Sequence, residues 1–262
     1  MFLRISILIL FIACLFVAIP LADAQLPLEG VVSYWSFDEG TIAGGKVEDV
    51  LGDNDGELDG NPKPVAGKVG KALEFNGENL VHIPGTASLE FAGAEEMSVV
   101  AWVNADSDSP VKGVVAGCCG TIVAQRDVNG WALRFDGRNA GQEMEFIVTP
   151  GWQGDGGFGA AAFKKGEWHH MVGVVNKKEM LLYVDGKLEK EQNYNGPMTT
   201  GGSETEIGKA GDGGFVGIID EVMIYSKALS AGEVKQVFEA EGLPVEPQGK
   251  LATRWAQIKS SF

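Results

Sequence analysis

Apolar and polar side chains alternate along most of the chain in short runs, separated by turns rich in glycine and asparagine. Period-two patterning predicts strands that each turn one face to a core. Val31-Val32-Ser33-Tyr34-Trp35-Ser36-Phe37 is the first run, and Met97-Ser98-Val99-Val100-Ala101-Trp102-Val103 is β-branched and aromatic. Further strands are predicted at 71–75, 80–83, 121–125, 131–135, 144–148, 168–176, 180–184 and 215–225. Asn76-Gly77 suits a hairpin between the second and third of these runs, and Asp185-Gly186 is a second hairpin signal. Lys177-Lys178-Glu179 is a charged turn. One helix is predicted before the tail. Ser230-Ala231-Gly232-Glu233 matches a capping box, Val234, Val237 and Phe238 share a face, and Gly242 and Pro244 stop it. Regular short strands with glycine turns predict an all-β, two-sheet antiparallel sandwich with one short C-terminal helix.

The two ends read differently. Met1 to Arg4 is a short basic start, 5–22 carries no charge, and Ala22-Asp23-Ala24 is a small-x-small cleavage site. Residues 1–24 are therefore read as a signal peptide, which makes the protein secreted, surface-bound or periplasmic. Two alternatives stay open: an uncleaved anchor, interrupted by Pro20, and a lipoprotein signal at Phe11-Ile12-Ala13-Cys14. No later stretch is long and apolar enough to span a bilayer. Residues 25–242 form the expected domain, and 243–262 a proline-containing linker and short basic tail.

Composition removes whole classes. The 262 residues carry 36 acidic and 21 basic side chains, a net charge of −15. That argues against nucleic acid as a partner, because a basic face is needed to displace counterions from phosphate. A hydrophobic share of 45% argues against disorder. Of three cysteines, only the adjacent Cys118 and Cys119 remain after cleavage. They read as free thiols, an intermolecular bond or a vicinal disulfide. Metal binding by the pair has no histidine or third cysteine nearby to support it.

The ordered motifs resemble the LamG-like, concanavalin A-like jelly-roll family in its bacterial secreted branch. The matching pieces are 31–40, the Asp/Asn/Gly loop 49–56, 67–77, 97–103, Glu167-Trp168-His169-His170-Met171, 182–187 and 215–230. The resemblance implies a jelly-roll sandwich, with Trp35, Phe37, Trp102, Trp168 and Tyr183 in the core. It also implies a structural calcium at the sandwich rim, held by Asp49, Asn54 and Asp220, with Asp55 a further candidate. The loop lacks the family's serine and is one residue shorter. The acids between Asp38 and Asp59 are equally readable as a solvated loop that keeps the protein soluble. Crowded carboxylates beside a glycine-rich loop are also what calcium asks for.

A second candidate surface is Pro150-Gly151-Trp152-Gln153-Gly154-Asp155-Gly156-Gly157-Phe158. Trp152 and Phe158 are candidate ligand-binding aromatics that stack on a sugar, or else fold back over a sheet edge. His169 and His170 alternate, as do Asp220 and Glu221, so neither pair is expected to act together. His82 has no partner nearby in sequence. No nucleophile elbow or zinc-protease motif is present, and Glu143-Met144-Glu145 lacks a third acid. The expectation is a non-catalytic module that recognises a glycan or an extracellular protein. A glycoside hydrolase or lyase on the same fold is one alternative, and a surface assembly protein docked through its tail another.

Overall fold

The computed structural model describes residues 26–107, 111–113, 118–138, 143–156, 158–160, 164 and 166–240. The expected signal segment, Gly242, Pro244 and the tail lie outside them. The strands in chain order are β1 Val31–Trp35, β2 Ile42–Ala43, β3 Lys46–Val47, β4 Gly56–Asp59, β5 Lys63–Ala66, β6 Lys71–Asn76 and β7 Leu80–Ile83. Then come β8 Met97–Ala105, β9 Val111–Gly113, β10 Cys118–Ala124, β11 Trp131–Asp136, β12 Glu143–Val148 and β13 Gly159–Ala160. The series ends with β14 Trp168–Val175, β15 Glu179–Val184, β16 Lys187–Asn193, β17 Thr205–Ile207, β18 Lys209–Ala210 and β19 Gly213–Tyr225, followed by helix α1 Ala231–Glu239.

These strands make two sheets. The first runs β16–β15–β14–β8–β19, and β19 takes β6 beside its earlier half and β1 beside its end. The second runs β2–β3–β4–β7–β17–β10–β11–β12–β13. The beginning of β19 belongs to the second sheet, paired with β9 and β18 and touching β10. The chain then crosses to the first sheet within one strand.

Alternation fills the space between the sheets. Trp131, Leu133 and Phe135 of β11 and Met144, Phe146 and Val148 of β12 meet Val99, Ala101 and Val103 of β8 and Met171 and Val175 of β14 in one buried cluster. The sheets pack closely at Gly173, where an added Cβ would lie 2.5 Å from the Phe146 ring. A second apolar cluster covers the far side of the first sheet. There Val234 and Val237 of α1 pack on Tyr34, Val100, Val172, Tyr183 and Met223. The capping box forms as the spacing predicts: Ser230 Oγ accepts from Glu233 N at 3.3 Å and Ser230 N donates to Glu233 Oε2 at 2.8 Å.

Several expectations need correction. Asn76-Gly77 does not close a hairpin, because β6 joins the first sheet and β7 the second. The turn carries the chain across the sandwich, with Asn76 Oδ1 accepting from Glu78 N and Asn79 N. Trp102 and Tyr183 lie outside the inter-sheet core. Tyr183 packs in the cluster under α1, and the Trp102 ring centroid lies 5.6 Å from that of Phe238. Trp168 is only half-buried, whereas Trp35 and Phe37 lie in the main core. The Asp185-Gly186 hairpin holds, with both residues at positive φ, 50° and 73°, as a two-residue turn of this type requires.

Candidate functional site

The outward positions of the second sheet form a row that crosses six strands. Register pairs Glu57 with His82, His82 with Glu206, Glu206 with Ala124, Ala124 with Ala132, and Ala132 with Ile147. Their sequence neighbours Val81, Ile83, Ile207, Val123, Leu133 and Val148 point into the core, so these six face outward. Ala124, Ala132, Ile147 and Ala210 make a small-residue shelf. Beside it lies a depression of about 330 Å³ lined by Asp59, Leu80, His82, Asp127, Glu206, Lys209, Ala210 and Gly211.

Glu206 is the unusual group in this depression. The residue is 7% exposed, and its Oε2 has no hydrogen-bond partner. His82 Nδ1 is 3.8 Å from the other oxygen, beyond hydrogen-bond reach. Burial, with Asp127 and Glu204 nearby, pushes the Glu206 carboxyl up to about 7. Lys209 Nζ is turned to Glu78 at 2.9 Å, and Asp127 Oδ1 accepts from Gly211 N at 2.8 Å.

The other end of the face is a network of arginines and acids. Arg134 is 2% exposed and contacts Glu145 Oε2 at 2.7 Å, Asp155 Oδ1 at 2.5 Å and Asp212 Oδ2 at 2.8 Å. Arg126 meets the same Asp212 oxygen at 2.5 Å, and Arg138 grips Asp136 and Asp155. Burial raises Glu145 to about 6 against the pull of Arg134. Burial also opposes ionisation of Asp136, yet the Arg138 hydrogen bonds hold it below the usual carboxylate range. Cys118 stands opposite Asp136 in the β10–β11 register. The Cys118 and Cys119 sulfurs are in bonding contact across a cis peptide.

The structure revises the aromatic loop. Phe158 is 2% exposed and belongs to the main core, so it is no ligand platform. Val148 and Gln153 bridge to each other, and Gly154, at φ 96°, turns the loop back so that Phe158 is buried. Trp152 is half-buried on the shelf residues, and the guanidinium carbon of Arg126 lies 3.9 Å from its ring centroid. It is a wall of the shelf, not an open stacking face. The polar residues of the loop, Gln153 and Asp155, bond to Asn195 N and to the arginines.

Asp49 and Asn54 share one hydrogen-bond network, and Asp220 lies in another. Asp49 Oδ1 accepts from the backbone N–H groups of Tyr34, Leu51 and Gly52, and its Oδ2 from Asn54 N. Asn54 Oδ1 accepts from the Thr86 and Ser88 hydroxyls, and Asn54 Nδ2 donates to Ser33 Oγ. Asp55 Oδ1 accepts from Asp49 N. Calcium needs carboxylate and carbonyl oxygens that are open to it, and Asp49 and Asn54 do not fit that need. They hold the loop together as an anion among backbone donors. Glu48, Asp53 and Glu57 are exposed around it.

Asp220 belongs to a different group. Its Oδ2 accepts from Lys68 N at 2.8 Å and Val69 N at 3.1 Å. A register shift between Asp220 and Met223, with Glu221 at φ 51°, breaks the alternation that would send the two acids to opposite faces. Both side chains are buried, and the Glu221 carboxylate accepts from Tyr34 Oη at 2.5 Å while its Oε1 has no partner. Burial, with Asp38 nearby, pushes Asp220 to about 7 against its backbone donors, and burial, with the Asp220 charge beside it, pushes Glu221 to about 8.

Two expected outcomes follow. Asp49→Ala removes the acceptor for four backbone donors, and is expected to cost about 2–4 kcal/mol in urea unfolding, whether calcium or a chelator is present. A loss confined to calcium-loaded protein would make Asp49 a ligand after all. The second concerns pH. In the fold Asp220 and Glu221 keep protons that the unfolded chain releases near pH 4. The stability they lend is full below that pH and is lost as pH rises through 7 and 8. In chelated buffer Tm is expected to fall by about 5–10 °C from pH 5 to pH 9, and Glu221→Gln to flatten that slope. Equal slopes in the two proteins would remove this acid pair from the account.

Solved structures with this fold are similar at low identity. Domain 4 of AbnA, an extracellular GH43 arabinanase from Geobacillus stearothermophilus in complex with arabinotriose, matches with TM-score 0.58 and 19% identity over 79% of this chain and 97% of that one. Trypanosoma rangeli sialidase matches at TM-score 0.60 and 18% identity, over 83% of this chain but only 34% of the enzyme. The binding domain of Paraclostridial Mosquitocidal Protein 1 matches at 0.56 and 18%, over 80% and 52%. No curated protein matches the chain in sequence. The family model for Laminin_G_3 matches residues 75–235, most of the sandwich just described. The chain therefore belongs to the concanavalin A-like lectin/glucanase superfamily, in its Laminin_G_3 family.

Proposed function

We propose that this chain is an exported, non-catalytic module that recognises carbohydrate along the outer face of its second sheet. The observation that carries the reading is the Glu57–His82–Glu206 row, whose last two members line a depression beside Leu80 and Ala210. A sugar ring needs a flat apolar floor and a few fixed polar atoms to orient its hydroxyls. Leu80 and Ala210 supply the apolar lining of the depression, and His82, Glu206 and Asp127 the polar atoms. The likeness to an arabinanase domain solved with arabinotriose supports the same ligand class.

The charged network supports recognition over hydrolysis. Glycoside hydrolysis uses two carboxylates set across a cleft and free to exchange protons. Asp136, Glu145, Asp155 and Asp212 are all held by arginines. The oxidised Cys118–Cys119 bridge belongs to this reading as a stiffener at the edge of that network. A structural calcium belongs to it beside Glu221, whose buried Oε1 has no hydrogen-bond donor, in place of Asp49, Asn54 and Asp220, whose side-chain oxygens accept from donors.

Binding to a panel of immobilised glycans, with isothermal titration against the best oligosaccharide, tests the reading. His82→Trp fills the depression from a partly exposed position. It is expected to weaken binding by about tenfold, or 1.4 kcal/mol, with Tm unchanged and no reducing ends released by either protein. Unchanged affinity in His82→Trp would move the ligand off this face, and released reducing ends would make the protein an enzyme. In the same melts, calcium at pH 8 is expected to raise Tm in the parent but not in Glu221→Gln. No rise would leave the acid pair as a protonated couple.

A further inference from the structure

The depression at Glu206 has an electrostatic bias that the carbohydrate reading alone does not explain. Its lining has three carboxylates, Asp59, Asp127 and Glu206, against one lysine. That lysine, Lys209, is directed to Glu78 at 2.9 Å. Arg126, on the next part of the face, is engaged by Asp212 and Trp152. His82 stands 3.8 Å from Glu206, too far to hydrogen-bond. Glu206 is more than nine-tenths buried, lines the depression, and keeps one oxygen with no donor. A buried acceptor without a donor is costly, and a carboxylate without a cation costlier still.

We infer that the depression takes a ligand bearing a primary ammonium group, and that its natural occupant is an amino sugar with a free amine, of the glucosamine type. The inference rests on the carbohydrate reading above and narrows it. An ammonium brings three N–H donors and one positive charge. It pairs with the Glu206 carboxylate and shares its remaining donors with Asp127. A hydroxyl brings one donor and no charge, which leaves the carboxylate excess in place. An N-acetylated amine is neutral and bulkier, and a uronic acid is repelled. Charge-assisted hydrogen bonds of the ammonium–carboxylate kind are about twice as strong as neutral ones. The volume of about 330 Å³ lies at the small end of ligand sites, which suits one sugar ring and not an extended chain segment. The net charge of −15 also draws cationic ligands toward the protein at low salt.

The test uses isothermal titration of the full chain in neutral, low-salt buffer with three sugar probes, a glucosamine tetramer, its fully N-acetylated form and a neutral arabino-oligosaccharide, and with poly-lysine as a non-sugar ammonium. The glucosamine tetramer is expected to bind at least about tenfold more tightly than the acetylated form. Glu206→Gln, which keeps the side-chain shape, removes that preference. Asp127→Asn serves the same purpose should Glu206→Gln fail to fold. Glu191→Gln, an equal charge change on β16 in the other sheet, leaves the preference intact. Equal affinity for free and acetylated amines overturns the ammonium inference while carbohydrate recognition stands. Binding of the neutral probe alone does the same. Binding of none of the three overturns both readings. Binding of poly-lysine with no binding of the glucosamine tetramer overturns the amino-sugar assignment. A preference that Glu191→Gln abolishes equally well reduces it to bulk attraction and overturns the site.

Discussion

One strand holds the two halves of the sandwich in place. β19 begins in the second sheet, beside β9, β18 and β10, and ends in the middle of the first, between β8 and β1. The crossing demands close backbone approach. A Cβ on Gly214 would meet the carbonyl oxygen of Gly77, and Gly217 sits at φ 153° against the carbonyl of Asn104. Only glycine passes through both points without displacing backbone. Much of the chemistry depends on this strand. Just before it, residues 209–212 deliver Lys209, Ala210 and Asp212 to the outer face of the second sheet. Past the crossing, its irregularity at Asp220 gathers two buried carboxyls beside Lys68 and Val69.

Neutralisation of charge then separates structural acids from the acid available to a ligand. Asp49 is surrounded by backbone N–H groups, and its loop closes around it. Asp136, Glu145, Asp155 and Asp212 are matched by three arginines that bind more than one acid each or share one. Asp220 has three backbone donors, and Glu221 has Tyr34. Among the described acids of the outer face, Glu206 is buried and left with an oxygen that no donor reaches, and half-buried Glu143 is the other with such an oxygen. Burial without a partner is tolerable in a protein when a ligand supplies what the fold does not. The proposed ligand surface therefore centres on Glu206, and the neighbouring network serves as its rigid frame.

The fold was legible because the code for it is local. Period two in 131–135 and 144–148 assigns Trp131, Leu133, Phe135, Met144, Phe146 and Val148 to one face with no knowledge of the partner sheet. The Asp185-Gly186 turn and the Ser230–Glu233 capping box carry their geometry in a few adjacent residues. Alternation also placed Ala132, Arg134 and Asp136 opposite that core face. It could not say that Arg134 meets Asp155 and Asp212, since those contacts join residues 21 and 78 positions apart.

The site itself was decided by tertiary structure. His82, with no partner near it in the chain, acquires Glu57 on one side and Glu206 on the other because β7 lies between β4 and β17. Asp220 and Glu221 read as opposite-facing until a register shift turned them into neighbours. Phe158 read as a loop aromatic until Gly154 folded it into the core. Asn76-Gly77 read as a hairpin until its flanking strands found partners in different sheets. In each case the local signal was correct about what the backbone can do. Which strand comes to lie alongside is a property of the whole packed core. Sequence alone determined the two-faced strands, and only their assembly decided which polar side chains meet and which keep a buried oxygen that no donor reaches.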